Sequence, residues 1–147
     1  MSDEVHEVVE GDGYAVGSLD GIGEGYGFRK VRRELGVEAF GVNAIVLPAG
    51  YESGFHFHDE QEELYFVHQG TVEFEFEAGS KHVLGTGGLA RVSAATPRKT
   101  RNVGDVDAIV FVTGGKDGYV GRDGRVPEGE GDPRGDLSGP PGAAPRS

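Results

Sequence analysis

The chain has 147 residues, 36% hydrophobic and 27% charged, which is the composition of a soluble globular protein and the length of one domain. Its formal charge of −11 argues against nucleic acid or an anionic membrane as partner, because neutralising phosphates requires a basic face, and zero cysteines exclude disulfides, thiolate ligands and a thiol nucleophile. No run approaches the roughly 18 apolar residues of a membrane span, and the acidic N-terminus lacks the positive charge of a signal peptide, so a cytoplasmic protein is expected.

Residues 1–25 contain six glycines among acidic residues and are expected to be partly ordered at most. A barrel domain is placed at 26–123. The short basic run Arg29-Lys-Val-Arg-Arg33 reads as part of a solvated edge, with a helical turn at 31–35. Strands follow at 37–47, 54–58, 63–67, 71–76, 81–84, 89–92, 99–103 and 107–113, separated by turns rich in glycine. The segment 71–76 alternates Val72, Phe74 and Phe76 with Glu73, Glu75 and Glu77, the pattern of a strand with one face in the core and one in water. Eight such strands predict a sandwich or small barrel, not βαβ units. Residues 124–147 carry five of the seven prolines and almost no aliphatic side chains, so a disordered tail is expected there. The roughly 110 residues that remain form a core small enough to favour a homodimer.

The chemistry is concentrated in residues 50–70. His56 and His58 form an H-x-H pair on an extended segment, where positions i and i+2 share a face and Phe57 points away. A glutamate from the next strand can lie across from them, and two imidazoles with one carboxylate suit Zn, Fe, Mn, Co or Ni. The competing reading is two half-buried histidines capping a strand beside an acidic turn. His68, His82 and His6 fall on the opposite parity, in turns or in the loose N-terminus, and are not enlisted.

The stretch Gly50 to Gly70 resembles the first cupin motif, G-x5-H-x-H-x4-E-x6-G, at every specified position. The resemblance implies an all-β double-stranded β-helix, or jelly-roll, barrel. It also implies a divalent transition metal held by His56, His58 and Glu63, with Glu63 rather than Glu62 as the carboxylate. The second motif, G-x5-P-x-G-x2-H-x3-N, is only partly present. With Gly87 and Asn102 on its ends, Ser93 stands at the proline, Ala95 at the glycine and Arg98 at the histidine that is the fourth family ligand.

Arginine stays protonated and offers only donors, so it cannot replace that ligand. Three arrangements follow. The metal survives on three ligands, with Arg98 at the pocket edge anchoring a substrate carboxylate or phosphate. Alternatively Arg98 pairs with Glu63 and fills the cavity, giving a metal-free pocket. In the third, the register shifts by one and Lys99 faces inward. Tyr65 shares the parity of Glu63 and is a second candidate for the substrate-facing wall.

The expected function is a small stand-alone cupin that binds one divalent metal and a small molecule, which Arg98 would suit to an anionic one. A metal-dependent dioxygenase or isomerase is the enzymatic alternative, and a metal-free binding or structural protein the other. Fold alone does not select among these.

Overall fold

The computed structural model describes residues 3–77 and 79–128. The N-terminal segment holds a short hairpin, β1 (Val9–Gly11) and β2 (Tyr14–Val16), and a 3-10 turn at Leu19–Gly21. Next come β3 (Gly27–Arg29) and the single-turn helix α1 (Val31–Leu35). The helix stops at Gly36, whose positive φ of 75° lets its amide reach the Arg32 carbonyl at 2.9 Å. The barrel strands are β4 (Gly41–Leu47), β5 (Phe57–His58), β6 (Glu62–Gln69), β7 (Val72–Phe76), β8 (Lys81–Leu84), β9 (Leu89–Val92), β10 (Arg98–Asn102) and β11 (Ala108–Gly115). A final short strand, β12 (Gly124–Arg125), pairs with β5.

The result is the expected jelly-roll: a five-stranded sheet ordered β3-β4-β11-β6-β9 faces a three-stranded sheet ordered β10-β7-β8. All named pairings are antiparallel. The smaller sheet is extended by residues 52–58, which run beside β10 through the bridges Glu52↔Arg101 and His56↔Arg98. Alternation decides what each strand turns inward. On β6 the buried residues are Glu63, Tyr65 and Val67, and the exposed ones are Glu62, Leu64, Phe66 and His68. Val67 and Val110 meet Val72 and Phe74 in the core between the sheets.

Two positions explain why the chain folds this way locally. At the β6–β7 turn Gly70 has φ +89°, and a Cβ there would stand 2.8 Å from that of Ala108, so both the turn and the close approach demand glycine. Buried Asn102 at the end of β10 satisfies three backbone groups. Its amide donates to the Leu47 and Val106 carbonyls at 3.0 and 2.9 Å, and its Oδ1 accepts from the Gly104 amide at 3.0 Å.

On the outer face of the smaller sheet, Arg101 pairs with Glu73 at 3.3 Å and Lys99 with Glu52 at 2.6 Å. The tail boundary needs correction. Gly124 and Arg125 pair with His58 and Phe57, so the chain is still part of the fold after residue 123. The rest of the predicted tail, from 129 onward, lies outside the described residues. Among the described residues no helix is long and apolar enough to cross a membrane.

Candidate metal centre

His56 and His58 flank Phe57 on the extended segment beside β10, and their rings meet edge to face with centroids 5.3 Å apart. Backbone bonds hold this segment in place. The His56 amide donates to the Arg98 carbonyl at 3.0 Å, and the His58 amide to the Ala94 carbonyl at 2.8 Å. Glu63, the second residue of β6, turns its carboxylate toward both rings. Its Oε1 lies 3.2 Å from His58 Nε2 and 4.0 Å from His56 Nε2. One donor atom from each of the three residues fits within 4.8 Å of the others.

The surroundings of Glu63 are polar and enclosed. Tyr65, buried and stacked edge-on against Phe74, donates its hydroxyl to Glu63 Oε1 at 2.6 Å. Arg98, the first residue of β10, is 0% exposed and brings Nη2 to 3.9 Å from the same oxygen. Its guanidinium also donates to the carbonyls of Ser93 at 3.2 Å and His56 at 3.5 Å, while its Nε has no partner.

Charge and burial set the protonation of these groups. Burial pushes Glu63 up, but His58, the Tyr65 hydroxyl and Arg98 together hold it below the usual carboxylate range. Burial, then the Arg98 charge, bring His56 down to about 4. Burial also pulls on His58, yet the Glu63 and Asp123 carboxylates outweigh it and leave that imidazole raised. Tyr65 is pushed well above its ordinary value by burial and by the adjacent Glu63 charge.

Asp123 stands just before β12 and touches the site from the far end of the chain. Its Oδ1 lies 2.7 Å from His58 Nδ1 and accepts from Gln61 Nε2 at 2.6 Å. Its Oδ2 accepts from the amides of Glu60 and Gln61 at 2.8 and 3.1 Å. Burial would raise this carboxyl, but the Gln61 and Glu60 donors and His58 hold it far below the usual range.

The family model described as the cupin domain matches residues 43–114, which contain His56, His58, Glu63 and Arg98. Residues 43–114 belong to the cupin superfamily.

Three solved structures illustrate the likeness. The DMSP lyase DddQ from Ruegeria pomeroyi DSS-3 is 28% identical with TM-score 0.54, over 62% of this chain and 45% of its own. A sugar phosphate isomerase from a cupin superfamily, from Silicibacter pomeroyi DSS-3, is 22% identical with TM-score 0.56, over 77% of this chain and 71% of its own. The Cnp3 cupin domain of Schizosaccharomyces pombe is 18% identical with TM-score 0.50, over 53% of this chain and 56% of its own. The last two show the fold alone, and this cupin spans about half the length of the yeast domain and of the lyase. No curated protein is similar to it in sequence.

Against the first cupin motif the three expected donors come together, with the parity of β6 making Glu63 and not Glu62 the inward carboxylate. Against the second motif the departure is physical. Arg98 occupies the fourth ligand's position and faces inward, whereas Lys99 lies on the outer face with Glu52 and Glu75. The register shift that would turn Lys99 inward does not occur. Nor is Arg98 at a pocket edge: it is completely enclosed, with Nη2 3.9 Å from Glu63 Oε1.

Asp123 is the residue that sequence reasoning missed. It contacts His58 across 65 positions, and no local spacing marks it.

Proposed function

We propose that this cupin holds one divalent transition metal ion, of the Zn, Fe, Mn, Ni or Co type, through His56, His58 and Glu63, and binds a small anionic molecule beside it. The observation that carries the reading is His58 Nε2. It is buried and lies 3.2 Å from Glu63 Oε1 without a well-aligned hydrogen bond to it. A buried polar atom left so costs about 1–3 kcal/mol, which ligation by a metal would offset. Cysteine-free N2O donor sets of this kind suit borderline divalent ions.

Bound there, such an ion supplies Lewis acidity toward a carbonyl or carboxylate oxygen, or activates a water. The chain's own residues set the conditions for that chemistry. Tyr65 holds the Glu63 carboxylate in orientation through Oε1. His56, with the most exposed of the three side chains, marks the side open to solvent. Arg98 acts through its field rather than by contact. Glu63 and Asp123 contribute two negative charges and Arg98 one positive, so a divalent ion leaves the site positive by one unit. A small carboxylate or phosphate completes that balance, which supports an anionic ligand over a neutral one.

Lyase activity is the first reaction to assay, because the 28%-identical DddQ carries that name. Isomerase and dioxygenase assays follow. The test of the binding reading is thermal melting of chelator-treated protein with each metal, with and without oxalate, malonate or phosphate. A ligand at a hundredfold excess over its Kd stabilises by about 2.7 kcal/mol. The anions should raise the melting temperature only when metal is present.

A second reading rests on the 3.9 Å approach of Arg98 to Glu63 at the fourth ligand's position. In it the arginine stands in for the ion, and the barrel is a metal-free binder. Anion-induced stabilisation that is equal with and without metal would favour it.

A further inference from the structure

We infer that Asp123 is a positioning residue for His58: its carboxylate, clasped onto the 57–61 segment from the C-terminal side, fixes the Nδ1–H tautomer and so leaves the Nε2 lone pair on the side shared with His56 and Glu63, where a metal would sit. The inference rests on the metal-site reading for its purpose, though not for its geometry. An ionised carboxylate can only accept hydrogen bonds, so the nitrogen 2.7 Å from Asp123 Oδ1 must carry the hydrogen. In a neutral imidazole that leaves Nε2 as the acceptor, on the side where Glu63 stands at 3.2 Å.

The carboxylate is itself held in place. Its four acceptor bonds, to His58 Nδ1, Gln61 Nε2 and the amides of Glu60 and Gln61, use both oxygens twice and leave little freedom to rotate. The backbone adds to this. The Asp59 amide donates to the Asp123 carbonyl at 3.2 Å, and β12 pairs with β5 through Gly124↔His58 and Arg125↔Phe57. At the outer end Arg125 Nε reaches both Asp59 oxygens at 2.7 Å. The loop bearing two of the three proposed ligands is thus fastened by a segment more than 60 residues away in the chain. A carboxylate behind a ligating imidazole is the arrangement that fixes ring orientation and strengthens the donor, and losing it typically lowers metal affinity 10–100-fold.

The test uses the full-length chain with Asp123→Asn and Asp123→Ala. Asparagine keeps the size of the side chain and a carbonyl for the loop amides, but it cannot act as an acceptor-only group toward His58. Two readouts are taken: the His58 tautomer in metal-free protein by long-range 1H–15N NMR, at a pH where the ring is neutral, and the Zn(II) affinity by chelator competition.

Wild type should show the Nδ1–H form, and both variants should lose it. Zn(II) affinity should fall at least tenfold in Asp123→Asn, with its melting temperature close to that of wild type. If Asp123→Asn retains the tautomer and the affinity, Asp123 serves only to fasten the loop, and the inference is overturned. A wild type that binds no Zn(II) would defeat the metal reading instead, and the tautomer data would still decide for or against Asp123.

Discussion

Arg98→Met removes a charge that the fold encloses and tests what that charge does. At 3.9 Å and an effective dielectric of about 20, the attraction between Arg98 and Glu63 is about 4 kcal/mol before the cost of burying the charges is counted. That cost is poorly compensated. The guanidinium exchanges its water shell for carbonyl bonds at 3.2 and 3.5 Å, and its Nε bonds to nothing. After substitution Glu63 keeps the Tyr65 hydroxyl and the His58 imidazole.

Because Glu63 keeps those partners, the metal-free variant should lose only about 1 kcal/mol in urea unfolding, less than the roughly 3–5 kcal/mol of stranding a buried charge without any partner. Metal affinity should move the other way from a simple loss of function. If only about 1.4 kcal/mol of repulsion between Arg98 and a divalent ion survives screening, its removal tightens Zn(II) binding tenfold. The gain from added anion should shrink accordingly. Chelator competition on wild type and Arg98→Met, with and without malonate, reads both effects. Equal Zn(II) affinities, or an unfolding free energy lower by 3 kcal/mol or more, would refute the reasoning.

Glu63→Gln removes the counter-charge and leaves Arg98 buried alone, so metal-free stability should drop by roughly 3 kcal/mol in urea unfolding and recover in the double variant with Arg98→Met. A small drop that the double variant does not restore would mean the two groups are uncoupled. Zn(II) affinity should fall about tenfold per pH unit as pH drops below the raised value of His58, whose Nε2 proton competes with the metal. His56, neutral down to about 4, adds a second proton only near that pH, so a two-proton slope between pH 7 and 5 would contradict the assignment. Asn102→Ala strands the Leu47 and Val106 carbonyls and the Gly104 amide, and should cost about 2–3 kcal/mol in urea unfolding. A cost under about 0.5 kcal/mol would show those groups finding water instead.

The parts of the fold that repeat a local pattern are legible in the sequence. The strands at 81–84 and 89–92 appear with the expected bounds, and the alternation along β6 and β7 assigned the inward and outward faces correctly. What escaped notice depends on distant partners. β3 and β12 are two or three residues long, too short to show a period, and become strands only by pairing with β4 and β5, whereas the equally short β1 and β2 pair with each other in a local hairpin.

The site divides in the same way. The H-x-H pair and Glu63 are local and were readable, as was the missing fourth ligand. The one-residue earlier start of β10, by contrast, is fixed by the His56↔Arg98 bridge, and the enclosure of Arg98 by packing from both sheets. Asp123 sits at the edge of a glycine- and proline-rich stretch whose composition suggests disorder. Its four hydrogen bonds to residues 58–61 override that composition.

Elemental analysis of protein purified without chelator, beside a folded His58→Ala variant, tests the central claim most directly. The account predicts close to one divalent metal per chain in the wild type and almost none in the variant. Wild-type protein that carries no more metal than His58→Ala, even after loading with Zn(II), would contradict it.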